Sequence, residues 1–246
     1  MIFLTGATGL VGSFIARRLL EDNKSIRALK RKNSDLSLVK DIAHRIEWVE
    51  GDILDVLFIE ECLKDVDTVI HSAALVSFSK RSEDQMMVVN VQGTANLVNA
   101  ALKNNIRSFC HISSVAALGR GKNEVIDESA KWEDSTINTG YARSKYLAEL
   151  EVWRAMEEGL NVLIINPSVV LGPALLNNST ARLFKYVWKK SPFYTTGQMN
   201  YIDVRDVAEI AILLIEKRIY NGRFILNAGK ISYRELFGKI AESFNT

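Results

Sequence analysis

Cysteine is scarce in this chain of 246 residues: only Cys62 and Cys110 occur, and Cys110 lies inside an apolar run. That excludes a disulfide-built scaffold and predicts two reduced core thiols in a cytoplasmic protein. No apolar stretch approaches the ~18 residues of a membrane span, and Met1–Leu4 is too short for a secretion signal. An excess of one charge is missing too. A net charge of +2 and a pI near 8.4 leave no footprint for nucleic acid, and the cations are dispersed apart from Lys30 to Lys32. There is no HExxH, no Cys/His cluster and no Asp-rich loop, so no metal site is expected.

What the chain does contain is strand and helix patterns in alternation, without repeats or low-complexity tracts. Strands are expected near residues 1–5, 25–30, 46–49, 67–71, 108–113, 161–166 and 222–227. The first runs straight into Gly6-x-x-Gly9-x-x-Gly12, with Thr8, Leu10 and Val11 between the glycines. Phe14, Ile15, Leu19 and Leu20 then recur at helical spacing up to Asp22-Asn23. Strand, glycine turn and helix together make a phosphate cradle: side chains at Gly6 or Gly9 would block a pyrophosphate, and Gly12 lets the helix close on the strand. An NAD-selective site would place a carboxylate after the second strand to hold the ribose 2′-OH. This chain has Lys30-Arg31-Lys32 there, which suits a 2′-phosphate and favours NADP, with NAD still possible.

A second constellation lies far downstream, in Gly140-Tyr-Ala-Arg-Ser-Lys-Tyr-Leu-Ala-Glu149. Residues 141–158 read as a helix whose core stripe is expected to be Tyr146, Leu147, Leu150 and Trp153. Positions i and i+4 share a face, so Tyr141 and Lys145 project together. A free tyrosine has a pKa near 10, and an adjacent ammonium is expected to lower it and make Tyr141 a general acid and base. The same spacing recurs at Tyr186 and Lys190, so the pair alone is also compatible with a surface tyrosine. The fifth strand ends at Ser113-Ser114, on the carboxyl edge where ligands sit in parallel sheets.

These motifs, in this order from Met1 to about Lys239, resemble an extended short-chain dehydrogenase/reductase. That group includes the NAD-dependent epimerase/dehydratases and the dihydroflavonol-reductase-like enzymes. Gly51-Asp52-Ile53, Val69-Ile-His-Ser-Ala73-Ala74, Asn90-Val-Gln-Gly-Thr94, His111-Ile-Ser-Ser-Val115, Asn166-Pro167-Ser168 and Tyr201-Ile-Asp-Val-Arg-Asp-Val-Ala208 add to the match. The resemblance implies a doubly wound, Rossmann-type parallel α/β sheet with a small C-terminal substrate lobe. It implies residues 1–170 as the dinucleotide-binding domain, with its sheet completed by about 200–228. A partial substrate lobe follows from 171–200 and 229–246. It places Asp52 and Ile53 at the adenine, and Ala73, Ala74, Asn90, Ser113, Pro167 and Ser168 along the cofactor. Ser114 then orients the carbonyl, Tyr141 exchanges the proton beside the cofactor, and Lys145 supports it and donates to the cofactor's ribose hydroxyls. A homodimer through helices near 83–104 and 141–158 is implied as well. Members of this group usually continue beyond Ile231–Leu236, so a shortened chain or an open pocket is expected.

Ser114 is followed by Val115, Ala116 and Ala117, where the sugar-nucleotide dehydratases carry acidic residues, so elimination is disfavoured. Val76 and Phe78 are expected at the substrate mouth, joined by Phe193, Tyr194, Met199 and Tyr201, and they suit an apolar small-molecule carbonyl or alcohol. Arg182, Lys185 and Arg205 could instead meet the phosphates of a nucleotide-sugar. The expected function is an NADP(H)-dependent oxidoreductase. The alternatives are an epimerase with retained NAD and a dinucleotide-binding sensor without turnover. His71 and His111 are expected to be structural.

Overall fold

In a computed structural model the described residues are 1–119, 125–174, 180–190, 193 and 195–244. Seven strands form one parallel sheet: β1 (Ile2–Thr5), β2 (Ile26–Lys30), β3 (Glu47–Glu50), β4 (Thr68–His71), β5 (Ser108–Ile112), β6 (Asn161–Pro167) and β9 (Gly222–Leu226). Their order, β3-β2-β1-β4-β5-β6-β9, is that of a doubly wound sheet. All seven expected strands are present within a residue or two. Central strands such as β4 and β5 are buried along their whole length, because helices cover both faces.

Alternation along each strand divides the core. Phe3, Val69, Phe109, Val162 and Ile164 face the layer of α2 (Val56–Cys62), α4 (Gly93–Lys103) and α5 (Gly140–Glu157). Leu4, Ile70, Cys110, Leu163 and Ile165 face α1 (Leu10–Glu21) and α7 (Val204–Glu216). Phe3 and Phe109 are fully withdrawn from water, each worth about 1.5–3 kcal/mol by transfer. Cys62 and Cys110 are buried and free, and burial pushes the Cys110 thiol well above its usual range.

The helix expected from Glu83 to Lys103 is one rod: α3 (Glu83–Met86), a π-wound turn at Met87–Gln92, then α4. On α5 the expected core stripe holds only in part: Trp153 packs against the core, but the stripe is not the buried face. Leu150 is 43% exposed, and the buried face carries Ala142, Ser144, Lys145, Ala148, Glu149, Val152 and Ala155. Alanines let α5 lie close to the sheet and to α4, and its buried polar groups find partners there. Size and hydrogen bonding therefore outrank hydrophobicity.

A smaller sheet is built from β7 (Val169–Leu171), β8 (Gln198–Asp203) and β10 (Gly229–Ser232). It is covered by α6 (Ala181–Trp188) and α8 (Tyr233–Ser243). Met199 was expected at the substrate mouth. It lies instead in this lobe's core with Ile231, Leu236 and Ile240, and Tyr201 packs against them. Phe193 is 78% exposed, and Tyr194 lies outside the described residues.

Candidate active site

The strand order reverses between β1 and β4, which opens a crevice at their C-terminal ends. Gly6 turns the chain out of β1 with φ 76°, and a Cβ there would lie 2.6 Å from the Ala73 nitrogen. A Cβ on Gly12 would come within 2.1 Å of the Gly6 oxygen, so α1 is seated directly on the turn. Gly9 caps α1 without a side chain, and the N–H groups of Leu10, Val11 and Gly12 open the helix. Thr8 sits half-buried between the glycines. Close backbone contact and a helix N-terminus with no side-chain cap fit a pyrophosphate.

Thr5 joins the two sides of the crevice. Its Oγ1 accepts from the Ala73 N–H at 3.2 Å and pairs with His71 Nδ1 at 2.7 Å. His71 Nε2 meets Thr94 Oγ1 at 2.9 Å, and Thr94 donates to the Asn90 carbonyl at 2.5 Å. These partners fix the direction of the chain: Thr5 donates to Nδ1, and neutral His71 donates from Nε2. Burial holds His71 down to about 3, in keeping with that tautomer. Asn90 lies in the π-wound turn. Its Oδ1 accepts from the Leu75 N–H at 2.7 Å, and its Nδ2 donates to the Leu75 carbonyl at 2.9 Å and Ser144 Oγ at 3.0 Å. It therefore ties the loop carrying Ala73 and Ala74 to α5.

β2 ends at Lys30, next to β1, and Arg31 follows it. Lys30 lies opposite Glu50 and is bonded to it at 2.5 Å, so its charge is already balanced. Arg31 is exposed, and its backbone N–H donates to Ser34 Oγ at 3.0 Å. Asp52 is exposed, with Oδ1 accepting from the Leu54 N–H at 3.0 Å, and Ile53 is buried against Gly93. Arg205 is bound by Asp203 at 2.6 Å. Pro167 and Ser168 end β6 in buried positions, with the Ser168 N–H on the Leu226 carbonyl at 2.9 Å.

α5 begins at the N-cap Thr139, whose hydroxyl accepts from the Ala142 N–H. Its first turn holds Tyr141, half-buried, with the Phe78 ring edge-on at 6.2 Å. Ser114 caps the short turn Val115–Leu118, accepting from the Ala116 N–H at 3.2 Å, and its hydroxyl favours the Tyr141 phenolate. Lys145 is 2% exposed; its Nζ donates to the Ile112 carbonyl at 2.9 Å and lies 3.5 Å from His111 Nε2. The expectation that Lys145 lowers the Tyr141 pKa fails. Burial dominates and raises Tyr141 above its usual value, opposed only by Ser114, while Lys145 is turned toward the end of β5. Burial pulls Lys145 down to about 8, and Glu149 works against that.

Two residues of the surrounding network escaped sequence reasoning. Glu149, 1% exposed, accepts from Asn166 Nδ2 at 2.6 Å and lies 3.7 Å from the Arg223 guanidinium. Asn166 also donates to the Ser114 carbonyl at 3.0 Å. Ser113 is buried beside Glu149; its hydroxyl favours the carboxylate without making a hydrogen bond of good geometry. The available signal was the four-residue repeat Tyr141, Lys145, Glu149. Val76 and Phe78 are exposed on the loop after β4, and among the described residues no group of His, Cys, Asp and Glu could hold a metal ion. In the described part of the segment after Gly119, Trp132 stacks on Tyr146 of α5 at 4.6 Å.

A sequence model of the NAD dependent epimerase/dehydratase family matches residues 2–229. Cinnamoyl-CoA reductase 1 of Petunia hybrida is 31% identical over 92% of this chain and 72% of its own length. A dihydroflavonol 4-reductase-like protein of Synechocystis sp. is 33% identical over 84% of this chain and 60% of its own. The crystal structure of gox2253 superposes with a TM-score of 0.90 at 33% identity, covering 98% of this chain and 74% of that one. The chain belongs to the NAD-dependent epimerase/dehydratase family and is an NAD(P)-dependent enzyme of the extended short-chain dehydrogenase/reductase type.

Proposed function

We propose that the protein is an NADP(H)-dependent oxidoreductase that reduces a carbonyl, or oxidises the matching alcohol, of a small apolar substrate. The observation that carries this reading is the placement of Tyr141 in the first turn of α5 and Ser114 at the turn after β5, with Lys145 tying that helix to that strand end, beside the crevice that Gly6 and Gly12 shape. The dinucleotide, held by the glycine turn with Asp52, Ile53, Ala73, Ala74, Pro167 and Ser168 around it, supplies the hydride when bound. Tyr141 gives its phenolic proton to the carbonyl oxygen, and the raised pKa keeps that proton in place at neutral pH. Ser114 donates to the same oxygen and stabilises charge as it forms. Lys145 brings positive charge behind the tyrosine.

Arg31 and Lys32 are the exposed cations available for a 2′-phosphate, since Lys30 is engaged by Glu50. Phe78, 79% exposed and edge-on to Tyr141, supports an apolar substrate. Partly exposed Val88 on the rod and Leu150 on α5 support a homodimer through these helices. The buried free thiols are in keeping with a cytoplasmic setting.

Fluorescence titration of the purified protein with NADPH and NADH tests the reading, followed by a screen of aldehydes and ketones. A preference for NADPH that Arg31→Asp removes, with turnover of an apolar carbonyl, is expected. Copurifying NAD, with no net consumption of added cofactor, would overturn it in favour of an epimerase.

A further inference from the structure

We propose that Glu149 is a positioning residue: a buried counter-charge, aimed by Asn166 and Arg223, that keeps Lys145 cationic behind Tyr141. The proposal rests on the assignment of Tyr141 and Lys145 to proton transfer. Tyr141, Lys145 and Glu149 occupy successive turns of one face of α5. Lys145 and Glu149 are both almost fully withdrawn from water.

An ammonium in that position needs a compensating charge, because burial alone favours the neutral amine. The groups facing Lys145 do not supply one elsewhere. His111 on β5 lies 3.5 Å from Nζ and is kept neutral by burial, as is His71 beyond it on β4, with ring centres 5.1 Å apart. The Ile112 carbonyl accepts one hydrogen bond but carries no net charge. Tyr141 on the same helix holds its proton. Among the described residues Glu149 is the anion that acts on Lys145.

Burial pushes the Glu149 carboxyl above its usual range, and Ser113, Asn166, Arg223 and Lys145 oppose that push. Asn166 donates to Oε1 at 2.6 Å, and Arg223 reaches from β9 to Oε2 at 3.7 Å. Arg223 is itself fixed: its guanidinium lies 5.8 Å over the Trp153 ring and donates to the Ala130 carbonyl at 3.4 Å. Asn166 also holds the Ser114 carbonyl, so the residue that aims Glu149 places the serine as well.

The test is a titration of Lys145 by NMR in protein carrying carbon-13 at the lysine ε position. Its signal is assigned by its loss in Lys145→Met. Glu149→Gln is expected to lower the Lys145 midpoint by about one unit, the low end of what an opposite charge one helical turn away contributes. Glu149→Asp keeps the charge and should lower it less. A midpoint unmoved by Glu149→Gln overturns the proposal, and so does an equal shift in both variants, which would reflect disturbed packing. If Glu149→Gln does not fold, Arg223→Gln decides by loosening the hold on the Glu149 carboxylate from outside the helix: a lowered Lys145 midpoint supports the proposal and an unmoved one overturns it. The titration needs neither substrate nor turnover, so its failure is separate from a failure of the reductase reading.

Discussion

Lys145 donates to the carbonyl oxygen of Ile112 at 2.9 Å, and this bond fixes α5 to the end of β5 just before Ser113 and Ser114. A helix residue and a strand terminus are thereby locked together. Tyr141, one turn earlier on α5, meets Ser114 as a consequence rather than by a direct tie.

Replacing Tyr141 by Phe removes the proton donor and leaves the ring against Phe78. Turnover should fall by about 10²–10⁴-fold, the usual contribution of a positioned acid, while NADPH affinity stays the same. Steady-state rates and a fluorescence titration of the same sample check both parts. Activity within tenfold of the native enzyme would falsify the assigned role.

Lys30, at the end of β2, and Arg31, which follows it, should behave differently. Arg31→Ala is expected to weaken NADPH binding by about tenfold or more, the value of one lost charge-assisted bond, and to leave NADH unchanged. Lys30→Ala should alter the NADPH-to-NADH ratio little, because Lys30 is paired with Glu50. Parallel titrations of both variants measure this; equal effects would show that Lys30 also reaches the 2′-phosphate.

Gly12→Ala places a methyl group 2.1 Å from the Gly6 oxygen, a backbone atom that cannot swing aside. The turn must open, at a cost of about 1–3 kcal/mol as for other overpacked sites. Urea unfolding should show that loss, and dinucleotide binding should weaken with it. A variant of native stability and affinity would mean that α1 is not seated on the turn.

His71 and His111 make folding sensitive to mild acid. Their native pKa values are depressed, to about 3 for His71, from an ordinary value of 6.5. Below 6.5 the unfolded chain therefore binds protons that the native protein refuses. Stability is complete above that pH and falls as the pH drops, each histidine contributing a limiting slope of about 1.4 kcal/mol per unit. His71→Asn should reduce the steepness between about pH 6 and pH 5, where the Glu149 carboxyl, raised by burial, works in the opposite sense in both proteins. Urea unfolding across that window measures the slope; an unchanged slope would place the proton uptake elsewhere.

Much of the site was legible in local sequence. Gly6, Gly9 and Gly12 stand between a strand and a helix, and the reason for each is steric and local. Ser114 is found at a strand end, and Tyr141 and Lys145 share a helix face by spacing alone. The α5 core stripe was misread because Lys145 and Glu149 look like surface residues until Ile112, Asn166 and Arg223 are seen around them. Lys30 looked available because Glu50 lies on another strand.

Sequence by itself determined the order of strands and helices, the glycine turn and the family. These depend on periodicity and on residues close together along the chain. Tertiary structure alone decided which charges are paired, which buried groups are ionised, and that the Tyr141 phenol is raised rather than lowered. Those properties depend on desolvation and on distances of a few ångströms between segments far apart in the chain, which a one-dimensional pattern does not contain.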